Sequence, residues 1–152
     1  MQVTTDILNI GMIFAGGGFS SWRTVPGRVA KYSGKIYGSL TIGSDVVTLR
    51  NQARMVAEKG YFQLLVHGHY DVFVVKNQPF TAKAMASKLI ANGVKPGTPI
   101  RCISCHTGRN LDGAAYRLAK EMNSPVLAPT QEVLIKPGGK YLINNNGYWR
   151  RF

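Results

Sequence analysis

The sequence predicts an α/β domain with a mainly parallel sheet and helices on both of its faces. Three observations predict it. Short, nearly continuous apolar runs, "YFQLLV" (61–66), "IRCIS" (100–104) and "PVLAP" (125–129), suit strands buried on both faces of a sheet. Between them apolar residues recur at helical spacing, and strand–helix–strand order calls for crossover connections. A hydrophobic share of 45% with 17 glycines in 152 residues fits one folded domain with a real core.

The elements follow in order, with 1–60 the less legible portion of this single domain and 61–152 its α/β core. The apolar run "ILNIGMIFAGGG" follows "MQVTTD", which lacks the basic region of a secretory signal, so it reads as structure. Gly16–Gly18 is a turn, and "AGGGFS" lacks the Lys-Ser/Thr ending of a phosphate loop. "SSWRTVPGR" reads as loop and "GKIYGSLTIGS" as a strand or hairpin. Apolar residues at Val46, Leu49, Ala53, Val56 and Ala57 predict a helix ended by Gly60. "DVFVV" is a strand ended by "KNQP". Thr81 caps a helix with Ala82, Met85, Ala86, Leu89 and Ile90 on one face, stopped by Asn92-Gly93. Asn110 caps the next, with Leu111, Ala114, Ala115, Leu118, Ala119 and Met122 on one face. The tail "EVLIKPGGKYLINNNGYW" predicts a C-terminal β-hairpin or meander.

Nineteen Lys and Arg against 7 Asp and Glu give a net charge of +12. Such a field attracts nucleic acid, acidic proteins or anionic membrane. The cations are scattered, clustering only in "WRRF", so a solvated basic surface explains them as well as a phosphate track does. No run approaches the roughly eighteen apolar residues of a membrane span. Cys102 and Cys105 are too few for a tetrahedral zinc site and awkwardly placed for a mutual disulfide; two free thiols suit a reducing compartment.

In an open α/β sheet, ligands bind beyond the carboxyl ends of the strands. Two apolar runs end abruptly there: "LLVHGHYDVF" breaks at His67, Gly68 and His69, and "IRCISCHTGR" breaks at Ser104 and Cys105. If their strands are parallel neighbours, His67 and Cys105 share one rim. A thiol and an imidazole on one rim are the minimum equipment for nucleophilic catalysis, since a free thiol, pKa about 8.5, is mostly protonated at neutral pH. The positive field is expected to favour the thiolate. Gly68 allows close approach, and its N–H beside that of Cys105 can hold an oxyanion; one such donor contributes roughly 3 kcal/mol. Asp71 is the candidate to orient an imidazole, its alternative a solvated residue at a strand start. His69 competes with His67, and His106 either orients substrate or faces solvent. Cys102 points to the other face and reads as core. No carboxylate stands at ligand-like spacing beside the histidines, so neither metal nor cofactor is expected.

"LLVHG" and "IRCISC" resemble the strand ends of the caspase-like cysteine peptidases. "FTAKAMASKLIANGVKPGTPIRCISCHTGRNLDGAAYRLAKEMNSPVLAPT" is also similar to C-terminal domains of bacterial polymorphic and Rhs-type toxins, with their "SC-x-TG" loop and "PV-x-APT" strand. The resemblance covers 61–152 and hardly touches 1–60. It implies a caspase-like, Rossmann-like sandwich, Cys105 as nucleophile, His67 as general base or polarising group, and Gly68 at the oxyanion hole. Ile103 stands where caspases carry an acidic or amide residue, Ser104 takes their small position, and Arg109 is a candidate for an acidic substrate side chain. The implied function is a cysteine peptidase-like effector, delivered to a target-cell cytoplasm, that cuts a protein substrate or its own parent chain; an immunity protein is an expected partner. A rival is a nucleic-acid- or nucleotide-directed toxin using His67, His69 and several of Arg101, Arg109, Arg150 and Arg151, with Cys105 structural. A third reading is a non-catalytic binding module.

Overall fold

A computed structural model describes residues 29–32, 35–58 and 60–152. The expected Gly16–Gly18 turn, the "ILNIGMIF" run and the "AGGGFS" loop lie outside the described residues. Among the described residues the fold is mixed α/β, with a partly parallel sheet core and three helices. Along the chain come β1 (Val29–Tyr32), β2 (Lys35–Ile42), α1 (Val46–Arg54), β3 (Phe62–Gly68), β4 (Phe73–Val75), β5 (Gln78–Phe80) and α2 (Ala82–Ala91). They are followed by β6 (Ile100–Ile103), α3 (Ala114–Met122), β7 (Val126–Pro129), β8 (Val133–Ile135), β9 (Tyr141–Ile143) and β10 (Trp149–Arg151). The larger sheet has the order β10-β7-β6-β3-β2-β1. Strands β2, β3, β6 and β7 run parallel, and the edges β1 and β10 antiparallel. The core therefore begins before residue 61: β2 lies in register with β3, Ile42 beside Val66.

Strand alternation gives each face its own apolar set. Leu40, Ile42, Phe62, Leu64, Val66, Ile100, Cys102, Val126 and Ala128 pack with the buried residues of α2 and α3. Leu65 and Ile103, on the opposite face, pack with Val133 and Ile135 of β8. Gln63 interrupts the "YFQLLV" run yet is buried, because it accepts from the Tyr141 hydroxyl and donates to the Val56 carbonyl at 2.9 Å. No helix among the described residues is long and apolar enough to cross a membrane.

"DVFVV" does form a strand that ends before Lys76, but β4 folds back antiparallel on the end of β3, and Lys76-Asn77, both at positive φ (52° and 61°), turn the chain into β5. The third helix starts at Ala114 with Gly113 at its cap, so Asn110 and the exposed Leu111 stand in the preceding loop. Thr81 does cap α2, accepting from the Ala84 amide at 3.1 Å.

The largest correction concerns α1, which stops at Arg54 rather than Gly60 and is packed the other way round. Its apolar residues face outward (Val46 is 78% exposed, Leu49 48%), while Thr48 and Asn51 are buried. Hydrogen bonds explain the inversion. Asn51 Oδ1 accepts from the Ile135 amide at 3.1 Å, and Arg54 donates to the Ile135 carbonyl at 3.1 Å, so the free edge of β8 is satisfied by side chains of α1. Asn51→Ala should cost about 1–3 kcal/mol in denaturant unfolding, the penalty of an orphaned buried amide, whereas Leu49→Ala should stay within about 0.5 kcal/mol.

Candidate active site

Strands β3 and β6 pair in parallel from Phe62 with Ile100 to Leu65 with Ile103. The ladder ends there: Cys105 lies in the turn after β6 and packs with Leu65 and Ile103, on the face that strand alternation also gives to His67. His67 does not follow the strand but lies within it, since β3 runs on to Gly68 against β4. At Gly68 the two strand ends touch. A Cβ there would collide with the side chains of Ser104 and Thr107 and sit 2.7 Å from the Cys105 carbonyl oxygen. Only glycine fits between the β3 end and the 104–107 turn. Ser104 is buried beneath it, and its carbonyl accepts from the Thr107 hydroxyl at 2.8 Å.

Cys105 is half-buried and free, as is the buried Cys102. Its Sγ faces the backbone of β8, with the Val133 amide at 3.5 Å and the Val133 carbonyl at 3.7 Å. Burial pushes the Cys105 thiol up; the Val133 amide pulls it down and the neighbouring Glu132 charge pushes it up again, with a net rise. The expectation that the positive field favours a thiolate is thus overturned locally: desolvation outweighs distant, screened cations. Cys102 has no exposed surface, and burial pushes it up to about 12. After Cys105 the backbone turns through His106 at φ 64°, a left-handed conformation in a non-glycine residue. Among the described residues no backbone carbonyl accepts from the Cys105 N–H.

The carboxylate at His67 is Asp45, not Asp71. Asp45 Oδ1 stands 2.9 Å from His67 Nε2, and Thr48 Oγ1 3.1 Å from the same nitrogen. Asp45 is also the N-cap of α1: its Oδ2 accepts from the Thr48 amide at 3.1 Å and its Oδ1 from the Thr48 hydroxyl at 2.8 Å. Burial pushes the Asp45 carboxyl up, but the hydrogen bonds from Thr48 and His67 outweigh it and hold it below its ordinary value. Asp71 instead accepts from Asn110 Nδ2 at 3.2 Å, and its carbonyl accepts from Arg117 at 3.3 Å, tying the β3–β4 turn to the loop before α3. The sequence signal for Asp45 was Gly43-Ser44-Asp45, a strand end followed by a helix cap.

The remaining candidates gather on Tyr70, which the sequence did not single out. The His69 ring lies 4.6 Å from that of Tyr70, the His106 ring meets it edge-on at 5.4 Å, and the Arg109 guanidinium stands 5.1 Å over it. His106 Nδ1 is buried with no hydrogen-bond partner among the described residues. The arginines of the rival reading are largely engaged elsewhere. Arg101 pairs with Glu58 at 2.8 Å under Tyr61, Tyr141 and Trp149, and Arg150 donates to the carbonyls of Gly108 and Arg109. No group of three or more His, Cys, Asp and Glu side chains that could hold a metal occurs among the described residues.

Three outcomes follow from this geometry. Iodoacetamide should label Cys105 slowly at pH 7, with the rate rising through a midpoint above the ordinary thiol value of about 8.5, and should leave Cys102 unlabelled until the chain unfolds; peptide mapping by mass spectrometry reads both. Because the folded value of Cys102 lies above its unfolded one, its contribution to stability is complete below the ordinary thiol range and is lost as pH climbs toward about 12. Gly68→Ala should displace the 104–107 turn and lower stability by about 1–3 kcal/mol, the cost of overpacking, read by denaturant unfolding.

No curated protein and no solved structure matches the chain. Residues 41–143, which include the parallel strand ends, the α1 cap and Cys105, match a family model described as a domain of unknown function, DUF8616, and the chain belongs to that family.

Proposed function

We propose that this chain is a cysteine peptidase-like hydrolase domain of caspase-like, sandwich architecture, and the effector part of a bacterial toxin delivered into a target cell. The observation that carries the reading is the close approach at Gly68, next to His67, of the 104–107 turn that holds Cys105. In this mechanism Cys105 Sγ attacks a peptide carbonyl while its proton passes to the His67 ring. The thiol is protonated at rest, so the imidazole acts as general base during attack rather than holding a standing ion pair. The Cys105 N–H, with Gly68 N–H beside it, faces the oxyanion. His67 then returns the proton to the leaving amine as the C–N bond breaks, and water hydrolyses the thioester. Tyr70, with His69, His106 and Arg109 around it, forms the lip that meets the substrate.

The engagement of Arg101 and Arg150 in internal contacts weighs against the nucleic-acid-directed reading, since it takes up two of the four arginines from which that reading draws.

Expression of the wild type, Cys105→Ala and His67→Ala in bacterial cells tests the proposal. The wild type should slow growth and generate new protein termini by proteomics. Each variant should reduce both effects by at least about a hundredfold, the scale of losing a nucleophile or general base. Toxicity that survives Cys105→Ala but not His67→Ala would replace the peptidase reading with the nucleic-acid-directed one.

A further inference from the structure

We infer that Asp45, at the start of α1, is a positioning residue that fixes the His67 tautomer, so that Nδ1 is the nitrogen that takes the Cys105 proton. The inference rests on the cysteine hydrolase reading above and deepens it.

The geometry admits one proton arrangement. Asp45 is a carboxylate, an acceptor only. Its Oδ1 takes the Thr48 hydroxyl proton at 2.8 Å, which leaves Thr48 Oγ1 with lone pairs to offer. His67 Nε2 faces both oxygens, at 2.9 and 3.1 Å, so it carries a hydrogen and donates. In a neutral imidazole the other nitrogen, Nδ1, is then the lone pair. No hydrogen bond from the described residues engages Nδ1, so on the hydrolase reading its lone pair is the one that receives the thiol proton. When the ring takes that proton its positive charge is met by the Asp45 carboxylate, already in place.

The fold builds this contact deliberately. β2 runs parallel to β3 with Ile42 beside Val66, so the residues that follow Ile42 leave the sheet beside His67. Gly43, at φ 133°, turns the backbone sharply toward α1. A side chain there would press on Thr48 and Asp45 at 3.3–3.4 Å. Asp45 thereby caps α1 and reaches the His67 ring with the same carboxylate, and Thr48, buried, locks the pair. This also explains the inverted helix: the polar side of α1 faces the site.

Asp45→Asn separates the two duties, since asparagine caps a helix as well as aspartate but carries no charge and can present an N–H to Nε2. The tautomer is read from the ¹⁵N shifts of the His67 ring, and Cys105 chemistry from acylation by p-nitrophenyl acetate. There Sγ displaces p-nitrophenolate, the thiol proton goes to the ring, and an acetyl adduct forms on Cys105. The wild type should hold its hydrogen on Nε2. Asp45→Asn should fold normally, lose that single tautomer, and acylate Cys105 about 10- to 100-fold more slowly, the usual effect of removing an orienting partner. A ring that keeps the Nε2–H form in Asp45→Asn overturns the inference at any rate of acylation, and so does a lost tautomer with unchanged acylation. If the wild type acylates no faster than Cys105→Ala while the tautomer still depends on Asp45, the hydrolase reading fails and only the ring assignment survives.

Discussion

The parallel pairing of β3 with β6 is the constraint from which the rest of the site hangs. Parallel neighbours end on the same rim, and side chains two apart share a face, so the pairing of Leu65 with Ile103 dictates what meets beyond it. Slipping the register by one residue would turn Cys105 toward α2 and α3 and leave Ser104 beside the imidazole. Packing resists that slip. Ile100 and Cys102 would leave the apolar cluster they share with Phe62, Leu64 and those helices. The buried core of one face thus holds the chemistry of the other in place.

The environment around the two reacting groups is unequal by design. The thiol sits against β8 in a half-buried niche, neutral at rest. The imidazole stands more open, tied at Nε2 to a carboxylate that its hydrogen bonds keep ionised. On the proposed hydrolase reading, a neutral thiol with an oriented imidazole on the same rim would stay inert toward passing oxidants and electrophiles until a substrate arrives. β8 serves both groups: Val133 faces the thiol, while Ile135 receives the side chains of α1 that bring Asp45 to the histidine.

Much of this was legible in the sequence where one signal dominated. Continuous apolar runs located β3, β6 and β7, and their abrupt polar ends located His67, Gly68, Ser104 and Cys105. Thr81 and Asn92-Gly93 bounded α2 because cap chemistry is local. What failed was non-local. The outward apolar face of α1 mimics a core stripe, and only the hydrogen bonds to His67 and Ile135, 19 and 84 residues away, reveal that the polar side is the buried one. Asp71 was the nearer carboxylate in sequence, but Asp45 is the one that β2, through its own parallel pairing, delivers to the rim. "DVFVV" has strand composition, yet with so short a turn after Gly68 it can pair only antiparallel, back on β3.

The spatial claim at the centre is that the residue at position 67 and the sulfur of Cys105 face each other. His67→Cys places a second thiol there, and dibromobimane fluoresces only when both of its arms have reacted with thiols close together. Adjacent strands lie about 5 Å apart, within its reach. The folded variant should give an intramolecular bridge joining the peptides of residues 67 and 105, with Cys102 untouched. Two singly alkylated cysteines and no bridge would contradict the account.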